Sequence, residues 1–223
     1  MDEKSKREMN TYYSGRLKEY GPTKEALVYR SDRQQTDRYA LLADIEPMAK
    51  ESSLLDVGCG LGFLCDYLRS YGWKGKYTGI DINPDMIKAS QKRLPKDNFL
   101  CKDILTERFD EQYDYVFCAA TVQLRPTNGD PVEYMQAMVK KMFSLTRGAL
   151  AFDVFSGRVD YQDKDKLYVD PARLLDFCYT LTRRVVLRND TRPYELMMYL
   201  YRKAEKDDAN RFVHWMTRTP QIY

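Results

Sequence analysis

Histidine is nearly missing from this chain. Its one imidazole among 223 residues is His214, in a polar C-terminal stretch, where a surface position suits it better than duty as a general base. Cysteine is scarce and odd in number: Cys59, Cys65, Cys101, Cys118 and Cys178 form no C-x-x-C pair. Neither metal-site spacing nor a disulfide framework is present, so no metal is expected and a reducing cytoplasm is favoured. No apolar run approaches the roughly 20 residues that span a bilayer. The opening MDEKSKREMN is charged and lacks the apolar core of a signal peptide, so a soluble protein with no membrane partner is expected. One-sided charge is absent too. Against 36 basic residues stand 33 acidic ones, and the net +3 neither requires nor excludes an anionic partner. No internal repeat or low-complexity stretch appears.

What is present suffices for one ordinary domain with an added cap. Hydrophobic residues make up 43% of the chain, enough for a buried core. Aromatics reach 13%, chiefly through 18 tyrosines, which either line pockets or pack half-buried surfaces. Residues 4–49 read as helical, broken early by Gly15, Gly21 and Pro22, with Ser31-Asp32 as an N-cap before Tyr39, Leu41, Leu42, Ile45 and Met48 at helical spacing. From Ser53 the pattern becomes strand and helix in turn. Strands are expected at 54–57, 76–80, 99–101, 113–119 and 149–155, and helices at 63–71, 84–94 and 131–145. Such alternation implies a parallel sheet covered on both faces. Two further strand-like runs, 184–187 and 195–201, are joined by a link too short for a helix and should pair antiparallel. The expected fold is α/β: a doubly wound, mostly parallel sheet with an antiparallel C-terminal hairpin and an N-terminal helical cap. The divisions are 1–49 for the cap or lid, 50–202 for the main domain and 203–223 for a tail.

The chemistry gathers where the first strand ends. Gly58-Cys59-Gly60-Leu61-Gly62 follows Leu54-Leu55-Asp56-Val57 and opens a helix, so its backbone N–H groups face a ligand that can approach closely. Asp56 stands at the mouth of that loop, where a carboxylate would repel a pyrophosphate. It would attract the ammonium and sulfonium of S-adenosylmethionine (SAM). Asp81 ends the second strand, 81 minus 56 or 25 positions later, where an acid can accept hydrogen bonds from both ribose hydroxyls. The other reading of Asp81, a helix cap before Pro84, falls better to Asn83. Asp103, after the third strand, suits the exocyclic amine of adenine, with the N–H of Ile104 on a ring nitrogen; an ordinary turn aspartate is the alternative.

Taken together, Leu54 to Gly62 resembles the first motif of class I SAM-dependent methyltransferases. Thr78-Gly79-Ile80-Asp81-Ile82-Asn83-Pro84-Asp85-Met86-Ile87 is similar to their second motif, and Tyr113-Asp114-Tyr115-Val116-Phe117-Cys118 resembles their fourth. The resemblance covers about residues 50–202. It implies a seven-stranded sheet with a reversed last hairpin, SAM as cofactor and S-adenosylhomocysteine (SAH) as product. It also implies that Ile82 and Met86 pack on adenine, and that backbone carbonyls at Cys118 and Ala119 hold the methionine part. No cysteine triplet is present to hold the cluster a radical use of SAM would need.

Methyl transfer needs alignment first, and a base only if the acceptor is protonated. Asp153, near the end of the fifth strand and so at the correct edge of the sheet, is the candidate base; capping or hydrogen-bonding the following loop is its other reading. The acceptor pocket should lie between the N-terminal helices and the loop 156–168. Tyr12, Tyr13 and Arg16 lie on an amphipathic segment that could close over SAM or simply pack as a helix, Arg38 could meet the cofactor's carboxylate or a surface acid, and the resemblance implies that Gln123 lies where the acceptor is contacted. The nucleic-acid motifs of the family are missing after the fourth strand, where Cys118-Ala119-Ala120-Thr121 stands, and Cys118 reads as a small buried residue. The basic run Arg183, Arg184, Arg188 and Arg192 divides between strand faces. A small-molecule or biosynthetic acceptor, methylated at oxygen or nitrogen, is therefore expected. A nucleic-acid methyltransferase, a SAM-binding enzyme of another kind and an inactive partner subunit are the alternatives.

Overall fold

The computed structural model describes residues 1–45 and 48–202. Before the first strand come α1 (Glu3–Tyr20), a short 3-10 helix (Lys24–Leu27) and α2 (Asp32–Ala43). The sheet and its helices then follow in the order β1 (Leu54–Val57), α3 (Phe63–Ser70), β2 (Tyr77–Asp81), α4 (Pro84–Arg93), β3 (Asn98–Cys101), β4 (Tyr113–Cys118), α5 (Pro131–Leu145), β5 (Thr146–Ser156), β6 (Tyr168–Val169), α6 (Pro171–Tyr179), β7 (Val185–Arg188) and β8 (Glu195–Tyr201). The strands lie side by side as β3-β2-β1-β4-β5-β8-β7, with β6 beside β5. All pairings as far as β5 are parallel, while β8 runs antiparallel to β5 and to β7.

Local chemistry explains the helix starts. Asn83-Pro84, Asp130-Pro131 and Asp170-Pro171 each place a side-chain acceptor at the N-cap and proline at the first helical position. In each case the cap side chain takes two of the free N–H groups. Ser31 caps α2 through the N–H of Gln34. The sheet divides its side chains by alternation. Leu55, Val116 and Met198 pack with α5 and α6 on one face, while Leu54, Phe117 and Met197 pack with α2, α3 and α4 on the other.

One sequence expectation needs correction, and two elements are added to it. Gly15 does not break α1; the helix runs through it and ends at Gly21, whose backbone lies at φ 66. Open space around Gly15 lets the helix continue there at only the small entropic penalty of a glycine. The seven expected strands form the path of the sheet, and the chain after β5 adds a two-residue β6 beside it. Finally, α6 occupies a stretch to which the sequence reading gave no element. The proposed tail at 203–223, with His214, lies outside the described residues.

The order of strands reverses between β1 and β4. At such a switch point the connections leave in opposite directions and a crevice opens at the carboxyl ends of the strands.

Candidate active site

A cavity of about 1030 Å³, counted to its open mouth, lies in that crevice. Its floor is the turn after β1, where Gly58, Gly60 and Gly62 have φ of 75, 51 and 76. The N–H groups of Gly58 and Cys59 both donate to the Ile80 carbonyl, at 2.8 and 3.0 Å, which ties the turn to the end of β2. A Cβ at Gly58 would stand 2.1 Å from Thr121 Oγ1, and one at Gly60 would stand 2.8 Å from Leu27. Glycine is thus required both by backbone conformation and by close approach. Gly58→Ala should lower stability by about 1–2 kcal/mol, the penalty of a left-handed alanine, with Thr121 turning aside. Urea unfolding checks this, and an unchanged midpoint would show that the turn tolerates a side chain.

Three carboxylates close the cavity from the ends of β1, β2 and β3. Asp56 is 2% exposed and accepts a hydrogen bond from the Tyr77 hydroxyl at 2.5 Å. Burial pushes its carboxyl up to about 7; the Tyr77 hydroxyl opposes that rise and the charge of Asp81 adds to it. Asp81 accepts from Gly60 N–H at 3.0 Å and Asn83 N–H at 2.9 Å. Burial raises its carboxyl too, against those backbone donors. Asp103 is 3% exposed and takes the N–H of Leu105 at 2.9 Å. Asp103 also meets the N-terminal ammonium of Met1 at 3.5 Å, whereas Asp56 and Asp81 have no ion-pair partner among the described residues and are best compensated by a cation that enters with the ligand.

The fourth wall is α1. Asn10 Nδ2 donates to the Ile82 carbonyl at 3.2 Å, and Asn83 Nδ2 donates to the Asn10 carbonyl at 3.1 Å. At the other end of the helix Ser5 Oγ accepts the N–H of Thr127 at 3.0 Å. Met9, Asn10 and Tyr13 therefore face the cavity from above.

Of the residues singled out from sequence, the cavity brings together Asp56, Gly58, Cys59, Gly60, Asp81, Ile82, Met86, Asp103, Ile104, Ala119 and Tyr13. Others stand elsewhere. Leu61 is buried behind the turn, Gly62 is the N-cap of α3, and Cys118 is enclosed in β4. Tyr12 is 52% exposed and meets Tyr13 edge-on, while Arg16 is held by the Glu25 carbonyl and by the rings of Tyr12 and Tyr20. Gln123 is buried in the loop after β4, where its carbonyl takes the N–H of Leu167 at 2.9 Å.

The two largest corrections concern Asp153 and Arg38. Asp153 is 0% exposed, outside the cavity lining, and 3.0 Å from Nε of Arg38, so it has no route to an acceptor's proton. Arg38 binds Glu195 as well and lies over the Tyr29 ring at 5.4 Å, so its guanidinium is already committed. Two members of the basic run are likewise engaged: Arg188 pairs with Asp44 and Asp190, and Arg192 with Glu195.

Sequence reading passed over Asn10, Tyr29, Tyr39, Lys102, Ala120, Thr121, Leu124, Tyr134 and Met138, all of which line the cavity. Only Ala120 and Thr121 carried a signal, since they directly follow Ala119.

A doubly wound sheet with a glycine turn at its switch point, ringed by carboxylates from three successive strands, defines an enzyme of the Rossmann-like class that binds a cationic adenosyl cofactor. The chain belongs to the class I SAM-dependent methyltransferases, and its cofactor is SAM. A family model described as a methyltransferase domain matches residues 54–146. Rv1506c of Mycobacterium tuberculosis, a protein named as a methyltransferase, is 31% identical over 163 residues, covering 68% of this chain and 93% of that one. The malonyl-[acyl-carrier protein] O-methyltransferase of Acetivibrio thermocellus is 35% identical over 124 residues, which cover 55% of this chain and 42% of the relative. Among solved structures, the DhpI complex with SAH superposes with a TM-score of 0.66 at 19% identity, covering 91% of this chain and 98% of the other. The magnesium protoporphyrin IX methyltransferase ChlM of Synechocystis PCC 6803, with bound SAH, gives 0.58 at 19% identity over 77% and 83%. Among the described residues, no helix is long and apolar enough to cross a membrane.

The residues present fit SAM. The glycine turn lines the cavity with backbone at Gly58 and Gly60, and among the described residues the buried amide oxygen of Asn10 has no partner at the cavity wall.

Proposed function

We propose that the chain transfers the SAM methyl group to an oxygen or nitrogen of a small-molecule or biosynthetic acceptor. The observation that carries the reading is the single cavity in which the glycine turn, three carboxylates and a tyrosine-rich wall meet under α1. Asp81 takes the ribose hydroxyls. Asp103 and the N–H of Ile104 take the adenine edge, between Ile82 and Met86. Asp56 and the turn at Ala119 face the methionine ammonium and the sulfonium. Bound there, SAM supplies an electrophilic methyl whose departure needs no protonation.

The acceptor's space lies beside Tyr13, Tyr29, Tyr39, Tyr134 and Met138. Burial pushes the phenols of Tyr13, Tyr29 and Tyr39 above their ordinary range. At neutral pH they stay protonated, so they donate hydrogen bonds that orient an acceptor's lone pair and do not remove its proton. An acceptor that arrives already unprotonated suits such a wall. The names of two relatives support a small-molecule or biosynthetic acceptor: malonyl-[acyl-carrier protein] and trans-aconitate.

Asp56 makes the reading testable by pH. Its folded value of about 7 lies above the usual 3.8, so its contribution to stability is present below about pH 4 and lost as pH rises through 7. A cation beside it favours the ionised form, so binding releases a proton at acidic pH. SAM affinity should therefore fall several-fold, towards about tenfold, between pH 7.5 and 6. Asp56→Asn should flatten that slope. Calorimetry in buffers of different ionisation enthalpy reads both effects; affinity independent of pH in the unaltered protein would remove Asp56 from the methionine end. A screen of carboxylate, hydroxyl and amine acceptors with labelled SAM then tests the acceptor class, and label found only in RNA or DNA would overturn it.

A further inference from the structure

Asp153 has the burial and charge of a functional residue but does not line the cavity, and its one hydrogen bond and its ion pair show what it does instead. It lies in β5, beside the end of β4, where Cys118 pairs with Phe152. One carboxylate oxygen accepts the N–H of Ala120 at 2.6 Å, and the other is 3.0 Å from Nε of Arg38. Glu195 holds the far side of the same guanidinium.

Ala120 has φ 56. An alanine left to itself spends little time in that left-handed region, because its Cβ crowds the backbone. Strain of this kind persists only where the surroundings impose it, and it gathers at ligand sites. Ala119, Ala120 and Thr121 all line the cavity, and Thr121 lies so close to Gly58 that no Cβ fits between them. The Thr121 hydroxyl also donates to the Ala119 carbonyl at 3.1 Å, which makes the turn compact. The strained residue is thus the pivot of the turn that faces the glycine loop, and the single charged side chain bonded to its N–H is Asp153.

We infer that Asp153 is a positioning residue: it pins Ala120 in the left-handed conformation and so sets the turn 119–121 against the glycine loop, where the methionyl end of the cofactor is held. Arg38, 3.0 Å from the other carboxylate oxygen, holds the side chain aimed at the turn. The inference rests on the cofactor placement proposed above and adds to it a residue that never touches the ligand. It also links the N-terminal helices to the reaction centre, since Arg38 belongs to α2.

Two ligands separate this role from a general one. SAH carries the amino-acid end, and adenosine lacks it. Calorimetry on the full chain should show that Asp153→Ala, which removes the acceptor, weakens SAH about tenfold by lowering the share of molecules with a competent turn, while adenosine binds as before. Glycine adopts positive φ without penalty, so Asp153→Ala combined with Ala120→Gly should bring SAH back to within about twofold of the unaltered protein. Should Asp153→Ala fail to fold, Ala120→Val leaves the ion pairs intact and disfavours the left-handed turn directly, and it should show the same selective loss. Equal loss of both ligands, no loss of either, or no recovery in the double variant would overturn the pin. Failure of the unaltered protein to bind either ligand would overturn the cofactor placement itself.

Discussion

Arg38→Ala should lower the free energy of unfolding by about 3–5 kcal/mol, the range found when one partner of a buried ion pair is removed. Arg38 is flanked by Asp153 and Glu195, all three buried, and Arg192 reaches Glu195 at 3.3 Å. Burial works against the guanidinium's charge, but Asp153, Tyr29 and Glu195 outweigh it and hold Arg38 firmly protonated. Without Arg38, Asp153 has no cation and Glu195 keeps only Arg192. The pH dependence follows from Glu195. Its carboxyl is already raised by burial in spite of Arg38, so its stabilising share is present below about 4.5 and lost as pH rises. Losing Arg38 raises it further. The deficit of the variant should therefore be smaller at pH 5 than at pH 7.5. Chemical denaturation at both values measures this. Arg38→Met combined with Asp153→Asn should recover part of the loss, because neutral groups need no compensation. Stability within 1 kcal/mol of the unaltered protein at pH 7.5, accompanied by lost SAM affinity, would return Arg38 to the cofactor site.

The same cluster shows where sequence reasoning stops. The glycine turn and Asp81 were legible because both are local: a strand, a turn and a helix fix their relation within 25 positions, 56 to 81. The boundaries of α5 and β8 were legible for a similar reason, since a proline start and an apolar run mark them. The role of Arg38 was not. Its partners lie 115 and 157 positions away, at 153 and 195, and no periodicity announces which arginine of a helix will be covered by the last strand. Asp153 misled in the opposite way. Strand direction put it at the correct edge of the sheet, but alternation alone does not say whether a residue at that edge reaches the crevice or lies beneath a packed helix. The start of α6 was written plainly in Asp170-Pro171, the same signal as at Asn83-Pro84 and Asp130-Pro131. The contribution of α1 was legible only in part. Tyr13 lies on its inner face as an amphipathic helix requires, while Asn10 meets Ile82 and Asn83 only because α1 crosses α4.

Asp81→Ala should weaken SAM by about 2–3 kcal/mol, on the order of 30- to 150-fold, the loss of charged hydrogen bonds to two hydroxyls. The carboxylate stands at the end of β2, 3.0 Å from Gly60 N–H and 2.9 Å from Asn83 N–H, so both oxygens are fixed before any ligand arrives. Each oxygen keeps a lone pair for a hydroxyl, and the fixed geometry means little order must be gained on binding. The variant also releases Gly60, so weaker binding alone does not prove a ribose contact. A cycle with adenosine and 2′,3′-dideoxyadenosine separates the two effects. The unaltered protein should discriminate between them strongly. Asp81→Ala should bind both about equally, because the group that counted the hydroxyls has gone, and any slackening of the glycine turn affects the two ligands alike. Asp81→Asn should fall between, since an amide keeps one acceptor and loses the charge. Discrimination that survives in Asp81→Ala would place the ribose elsewhere in the cavity. The adenosyl placement would then need another acid from β1 or β3, and Asp56 and Asp103 are the two that face the same space.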